Sequence, residues 1–124
     1  MKNDISAIGN ALVDTVFKVE HSIISELGLE IDQMTLSSAE EHAPIIERLI
    51  ASGADTVSDC GGSATNSLVA AASFGAKCFH ICKVSEDQDG LRYLKSLKEA
   101  GVGHKGNKAS ANSVPTGKCL ILVT

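Results

Sequence analysis

Apolar residues fall into short runs separated by Gly-, Ser- and acid-rich segments, and the period of each run predicts an element. Ile5-Ser6-Ala7-Ile8, ahead of Gly9-Asn10, reads as a short buried strand ending in a turn. Residues 12–19, rich in Val, Phe and Thr, read as a second strand, and Met34-Thr35-Leu36 as a short third. Ser38 and Glu41 have capping-box spacing, and Ile45, Ile46, Leu49 and Ile50 then form a helical stripe. Pro44 lies deep for a helix capped at Ser38, so the pattern predicts either a kink there or a helix beginning near Pro44. Residues 55–58 read as a short strand before Gly61-Gly62. Residues 64–74 read as an Ala-rich helix with Leu68, Val69 and Ala72 on one side and Gly75 just past its end. A buried strand follows over 77–84, then a second capping box at Ser85-Glu86-Asp87-Gln88. Leu91, Leu94 and Leu97 are the expected buried face of the helix it opens, and Gly101 the stop. Residues 103–117 read as loop or exposed strand, and 118–123 as a strongly apolar strand. Strands first, then helix and strand in alternation, make an α/β pattern with extra strands. The sequence stops within the last apolar run, at Thr124, with no turn or polar tail, so a fragment of a larger domain is expected.

Two segments carry candidate chemistry. In Cys60-Gly61-Gly62-Ser63-Ala64-Thr65-Asn66, two glycines stand between a strand and a helix. Glycines there let a ligand approach the backbone closely, and Asn66, in the first helical turn, offers both donors and an acceptor. The set suits a polyhydroxyl ligand, but equally a tight strand-to-helix turn with no ligand. It fits neither the P-loop pattern nor the dinucleotide fingerprint. In Ile8-Gly9-Asn10-Ala11-Leu12-Val13-Asp14, one carboxylate follows a strand and turn. That is where ligands gather in α/β sheets, though a lone Asp at a strand edge is more often only solvated.

Taken together and in order, these segments resemble the PfkB/ribokinase family of carbohydrate kinases. The set is Gly9-Asn10-Ala11-Leu12-Val13-Asp14, then Gly61-Gly62 with Asn66, then Phe74-Gly75-Ala76-Lys77. Lys83-Val84-Ser85-Glu86-Asp87-Gln88-Asp89-Gly90 and Leu97-Lys98-Glu99-Ala100-Gly101-Val102 complete it, so the resemblance covers essentially the whole chain. The first of these, with Asn66-Ser67-Leu68, is most similar to the adenosine-kinase-like branch. The resemblance implies an α/β fold: the N-terminal part of a ribokinase-like three-layer architecture with a small β-sheet lid. Residues 1–124 would be that N-terminal fragment, with lid strands at about 12–19, 34–36 and 118–123 and the C-terminal catalytic part absent. It implies that Asp14 and Asn66 hydrogen-bond substrate hydroxyls, that Gly61 and Gly62 pack beside the sugar, and that Asn10 lines a nucleoside site.

The implied activity is ATP-dependent phosphorylation of a sugar or nucleoside hydroxyl, with an adenosine-like acceptor favoured. ATP and Mg²⁺ would be held mainly outside this chain. The family's Gly-Ala-Gly-Asp motif, which carries the catalytic base, has no counterpart here, so no catalytic residue is assigned and the chain alone is expected to be inactive. Gly101-Val102-Gly103-His104 imitates its spacing but lacks the Asp and reads as a helix stop. Leu68 and Cys82 depart from the family, which usually has a small residue and a glycine there. From a different class comes the alternative of a non-catalytic lid or association module, or a truncated inactive homologue, with lid strands pairing in a homodimer.

Charge and composition narrow the partners. With 11 Lys and Arg against 15 Asp and Glu, the net charge of −4 argues against a dedicated nucleic-acid binder. No apolar run approaches the roughly 20 residues that span a bilayer, and the N-terminus lacks a signal-peptide pattern, so a cytoplasmic protein acting on a small molecule is expected. Cys78, His80 and Cys82 alternate along one strand face and read either as three soft ligands or, with no fourth in sight, as core fillers; no metal is assigned. Aromatic residues make up only 3%, so a purine would rest on aliphatic contacts and a single Phe. Val16, Phe17, Met34 and Leu36 are the candidates, each of which could instead be ordinary core.

Overall fold

The computed structural model describes residues 2–109 and 114–124, so part of the expected 103–117 loop lies outside the described residues. The chain divides into two compact units, residues 1–14 with 58–119 and residues 15–57 with 120–124.

In the first unit, β1 (Ile5–Ile8), β4 (Cys78–Ser85) and β5 (Gly103–Ala109) form a parallel sheet in the order β1-β4-β5. Side chains alternate along β4, and Cys78, His80, Cys82 and Val84 point to the buried face. Helices α3 (Ser63–Ser73) and α4 (Gln88–Glu99) cover that face, with Leu68, Tyr93, Leu97 and Val102 in the shared core. The opposite face carries Ile8, 80% exposed, so β1 forms where expected but is not a buried strand.

Helix α4 corrects two expectations. Its N-cap is Asp87 rather than Ser85, and the Asp87 carboxylate accepts the Gly90 N–H at 2.7 Å. Its buried face is Gly90, Tyr93 and Leu97, whereas Leu91 is 58% exposed. At 100° per residue the Gly90–Tyr93–Leu97 stripe turns Leu91 outward. Asp87 also accepts the Thr116 N–H at 2.8 Å and the Thr116 hydroxyl at 2.7 Å, and Lys118 pairs with Asp89 at 2.7 Å. Burial pushes the Asp87 carboxyl up, but the donors from Thr116 and Gly90 and the Lys118 charge outweigh it and hold it below the usual carboxylate range. These bonds clasp the entry to the final strand onto the start of α4.

The second unit packs α1 (His21–Glu26) and α2 (Ala39–Ala51) around Phe17, Ile23 and Leu49. Ser38 and Glu41 form the expected capping box: the Glu41 N–H donates to the Ser38 hydroxyl at 3.3 Å, and the Ser38 N–H donates to the Glu41 carboxylate at 2.7 Å. The helix therefore starts at Ala39 and runs through Pro44, losing one backbone donor in its second turn. No strand forms at 34–36; Met34 and Leu36 are 85% and 87% exposed, leaving nothing to offset ordering them. Strands β2 (Leu12–Lys18), β3 (Thr56–Gly61) and β6 (Gly117–Val123) form a second sheet in the order β3-β2-β6, so its third strand is β3 in place of 34–36.

Candidate functional site

The candidate residues meet where β3 ends and α3 begins. Gly62 has φ 98°, a conformation that L side chains rarely adopt, and serves as the N-cap of α3 without any side-chain cap. A methyl group on Gly62 would stand 2.6 Å from the Asn10 carbonyl oxygen. Gly61 is constrained by a different neighbour: the space its Cβ would take is filled by the Asp14 carboxylate. The two glycines therefore admit the Asn10 backbone on one side and the Asp14 side chain on the other. Asn10, Asp14, Gly61 and Gly62, distant in sequence, come together.

Asn66 joins them through the helix backbone. Its N–H donates to the Gly62 carbonyl at 2.9 Å, which closes the first turn of α3. Its side chain is exposed, lines a groove with Ser58, Asp59 and Ser96, and makes no hydrogen bond to Asp14. The lining of that groove includes none of Asn10, Asp14, Gly61 and Gly62, so those four come together while the Asn66 side chain faces the groove beside α4.

The electrostatics single out Asp14. It is half-buried, and no donor from the described residues reaches its carboxylate. Burial pushes its carboxyl above the ordinary range, and the nearby Asp59 charge adds to the effect. Asp59 goes the other way. The Ser96 hydroxyl donates to it and holds it down, burial opposes this, and the Cys60 N–H, at 2.7 Å, helps to keep it low. The Cys119 thiol is raised, first by burial and then by the Asp14 charge, which places it beside the same carboxylate. A carboxylate short of donors and next to a second negative charge is a ready acceptor for the hydroxyls of a ligand.

Asp59 and Cys119 were not anticipated. For Asp59 a signal existed, because it lies two residues before Gly61 on the same strand and so shares its face. Cys119 gave none, since its proximity to Asp14 depends on the order of strands in the second sheet. Cys78, His80 and Cys82 do share a face and are buried core, with His80 bonded to Thr65 and to the Ala7 carbonyl. Among the described residues no three His, Cys, Asp or Glu side chains are grouped as a metal site would require. Phe17 is committed to the core of the second unit, while Met34 and Leu36 are exposed. No described helix is long and apolar enough to cross a membrane.

The profile of the pfkB family carbohydrate kinases matches residues 29–124. Adenosine kinase from Sinorhizobium meliloti superposes with a TM-score of 0.80 at 30% identity, over 100% of this chain and 36% of that one. A probable sugar kinase from Rhizobium etli gives 0.79 at 26% identity, over 98% of this chain and 36% of its own. Adenosine kinase from Anopheles gambiae, solved with P1,P4-di(adenosine-5) tetraphosphate, shares the fold at 0.77 and 24% identity, over 94% and 36%. No curated protein matches. The chain spans only about a third of the length of these solved relatives, 36% in each case. Within that span the fold is that of the N-terminal portion of a ribokinase-like kinase, and the chain belongs to the pfkB family of carbohydrate kinases.

Proposed function

We propose that this chain forms part of the acceptor-binding site of an ATP-dependent kinase of sugar or nucleoside hydroxyls, with an adenosine-like nucleoside as the favoured acceptor. The observation that carries this reading is the Asp14 carboxylate, half-buried, reached by no donor among the described residues, and lodged against Gly61. Vicinal hydroxyls of a ribose supply the donors it lacks. The backbones of Asn10 and Asn66 meet the Gly62 turn, and their side-chain amides have the donors and the acceptor that further hydroxyls would use. The preference for a nucleoside is supported by the adenosine kinases among the structural relatives.

The role of these residues is to bind and orient. Holding the acceptor hydroxyl in line for transfer converts binding into rate. ATP and Mg²⁺ are implied by the family, and the described residues gather no group of His, Cys, Asp or Glu side chains that would hold the metal. We assign both to the remaining length that the relatives possess and this chain does not span.

Thermal-shift titration of the full-length protein tests the acceptor. A ligand at about 100 times its Kd adds about 2.7 kcal/mol of stability, several degrees in Tm. Adenosine is expected to give this shift, and Asp14→Ala to cut it to about half, as an affinity loss of about tenfold would. A shift with ribose or fructose and none with adenosine overturns the nucleoside preference. A shift of unchanged size in Asp14→Ala overturns the assignment of the site.

A further inference from the structure

Beneath the first turn of α3 lies a chain of buried polar groups that the acceptor site does not use directly. Thr65, His80 and Tyr93 are all 0% exposed. The Thr65 hydroxyl lies 2.6 Å from the Tyr93 hydroxyl and 3.3 Å from His80 Nε2. His80 Nδ1 lies 3.3 Å from the Ala7 carbonyl oxygen. A carbonyl only accepts, so Nδ1 carries the proton of that bond. The series thus runs from α4 through α3 to β4 and on to β1. Fully buried polar groups are costly to leave without partners, so this set has one low-energy arrangement.

Its placement gives it a purpose. Thr65 directly precedes Asn66 and is the third residue of α3, whose N-cap, Gly62, has no side chain to fix the start of the helix. On its other side the same turn meets Gly9, where an added methyl would come 2.6 Å from Ala64 Cβ. The turn is held between the Gly9-Asn10 backbone and the Thr65 hydroxyl. Successive helical residues point 100° apart, so fixing Thr65 inward fixes the direction of Asn66. An apolar residue at 65 would pack but would set no such direction, and the Tyr93 hydroxyl would lose its closest partner.

We propose that Thr65, Tyr93 and His80 act as a positioning device that sets the orientation of Asn66 toward the acceptor, an inference that rests on the acceptor-binding reading of Asn66. None of the three touches the acceptor; they act through the turn above them. Small displacements of positioning groups cost up to about a hundredfold in rate, and a partial shift of one amide is expected to cost about tenfold.

The test uses the full-length protein with adenosine as probe. Thr65→Val keeps the shape and removes the hydroxyl, Thr65→Ser restores it, and Tyr93→Phe removes its partner. Thr65→Val and Tyr93→Phe are each expected to weaken adenosine binding about tenfold, and Thr65→Ser to bind as the parent does. The loss from Thr65→Val should vanish in an Asn66→Ala background and persist in an Asp14→Ala background, because only Asn66 is positioned by it. An equal loss in both backgrounds overturns the proposal, since a purely structural defect would act on both. Amide hydrogen exchange without ligand gives an independent readout. Thr65→Val should speed exchange at Asn66, whose N–H closes the first turn, about tenfold more than at residues 79–82 of β4. Uniform acceleration, or none, overturns the device whatever the acceptor proves to be. If neither Asn66→Ala nor Asp14→Ala alters adenosine binding, it is the acceptor reading that fails, and exchange alone then decides whether Thr65 pins the turn.

Discussion

In the full-length protein, on the acceptor-binding function proposed above, replacing Gly61 by alanine should lower kcat/KM for the acceptor about a hundredfold, the scale on which a displacement near 1 Å acts. The backbone at Gly61 does not require glycine, because its φ is not among the positive values in the chain. What an alanine methyl meets is the Asp14 carboxylate, which already fills that space. Asp14 has a short side chain and must rotate away, taking the hydrogen-bond acceptor with it. Strand β3 has no other reason to unravel, so the fold should persist and the loss should appear as activity. The partner variant checks the cause. In an Asp14→Ala background the methyl has room, and Gly61→Ala should add little further loss. Additive losses would mean that Gly61 acts independently of Asp14.

In the full-length protein, Asp14→Asn should lower kcat/KM at least about tenfold, since each charge-assisted bond it removes contributes about 1.5–3 kcal/mol, and yet should raise Tm. The sign follows from the direction of the Asp14 shift. Its carboxyl is raised in the folded protein by burial, and then by Asp59, so between the unfolded value of 3.8 and the folded one the native state binds more protons than the unfolded state. Stability therefore rises as pH falls through that window, and above it the ionised carboxylate costs stability. Asparagine removes that cost and also relieves the repulsion from Asp59. The gain in Tm should be present at neutral pH and fade as the solution is acidified below the raised value, where the parent is neutral as well. A variant less stable than the parent at neutral pH would show that Asp14 is held by donors in the free protein.

Much of this was legible in the residues, and the exceptions have physical causes. The capping box at Ser38 and Glu41 and the alternation along β4 are local, so the sequence displays them directly. Helix α1 escaped notice because it is six residues long, buries only Ile23 and Ile24, and has no side-chain cap bond. At that length no 3.6-residue period can develop. Of the leucines of α4 only Leu91 misled, for the opposite reason, since Leu97 is buried and Leu94 packs against the core. Leu91, Leu94 and Leu97 look like a stripe, but packing selects Gly90, Tyr93 and Leu97, where glycine admits the Ser85 carbonyl. At the site, residue types alone marked Asp14, Gly61 and Asn66. That the Asp14 carboxylate occupies the missing Cβ of Gly61 depends on how β2 lies against β3, and no local pattern encodes that. Asp59 could have been found by counting two residues back from Gly61, while the clasp of Thr116 onto Asp87 joins segments with no shared period.

The central claim is that Asp14 receives the hydroxyls of the acceptor, and the titration of its carboxyl carbon by NMR, with and without adenosine, tests it most directly. In the free protein the carboxyl should titrate above 3.8, as its burial and the nearby Asp59 require. Hydroxyls donating to the ionised form favour that form, so saturation with adenosine should lower the Asp14 pKa, and adenosine affinity should correspondingly fall as the pH drops through it. A titration curve that does not move at saturating adenosine, or that moves upward, would contradict the account.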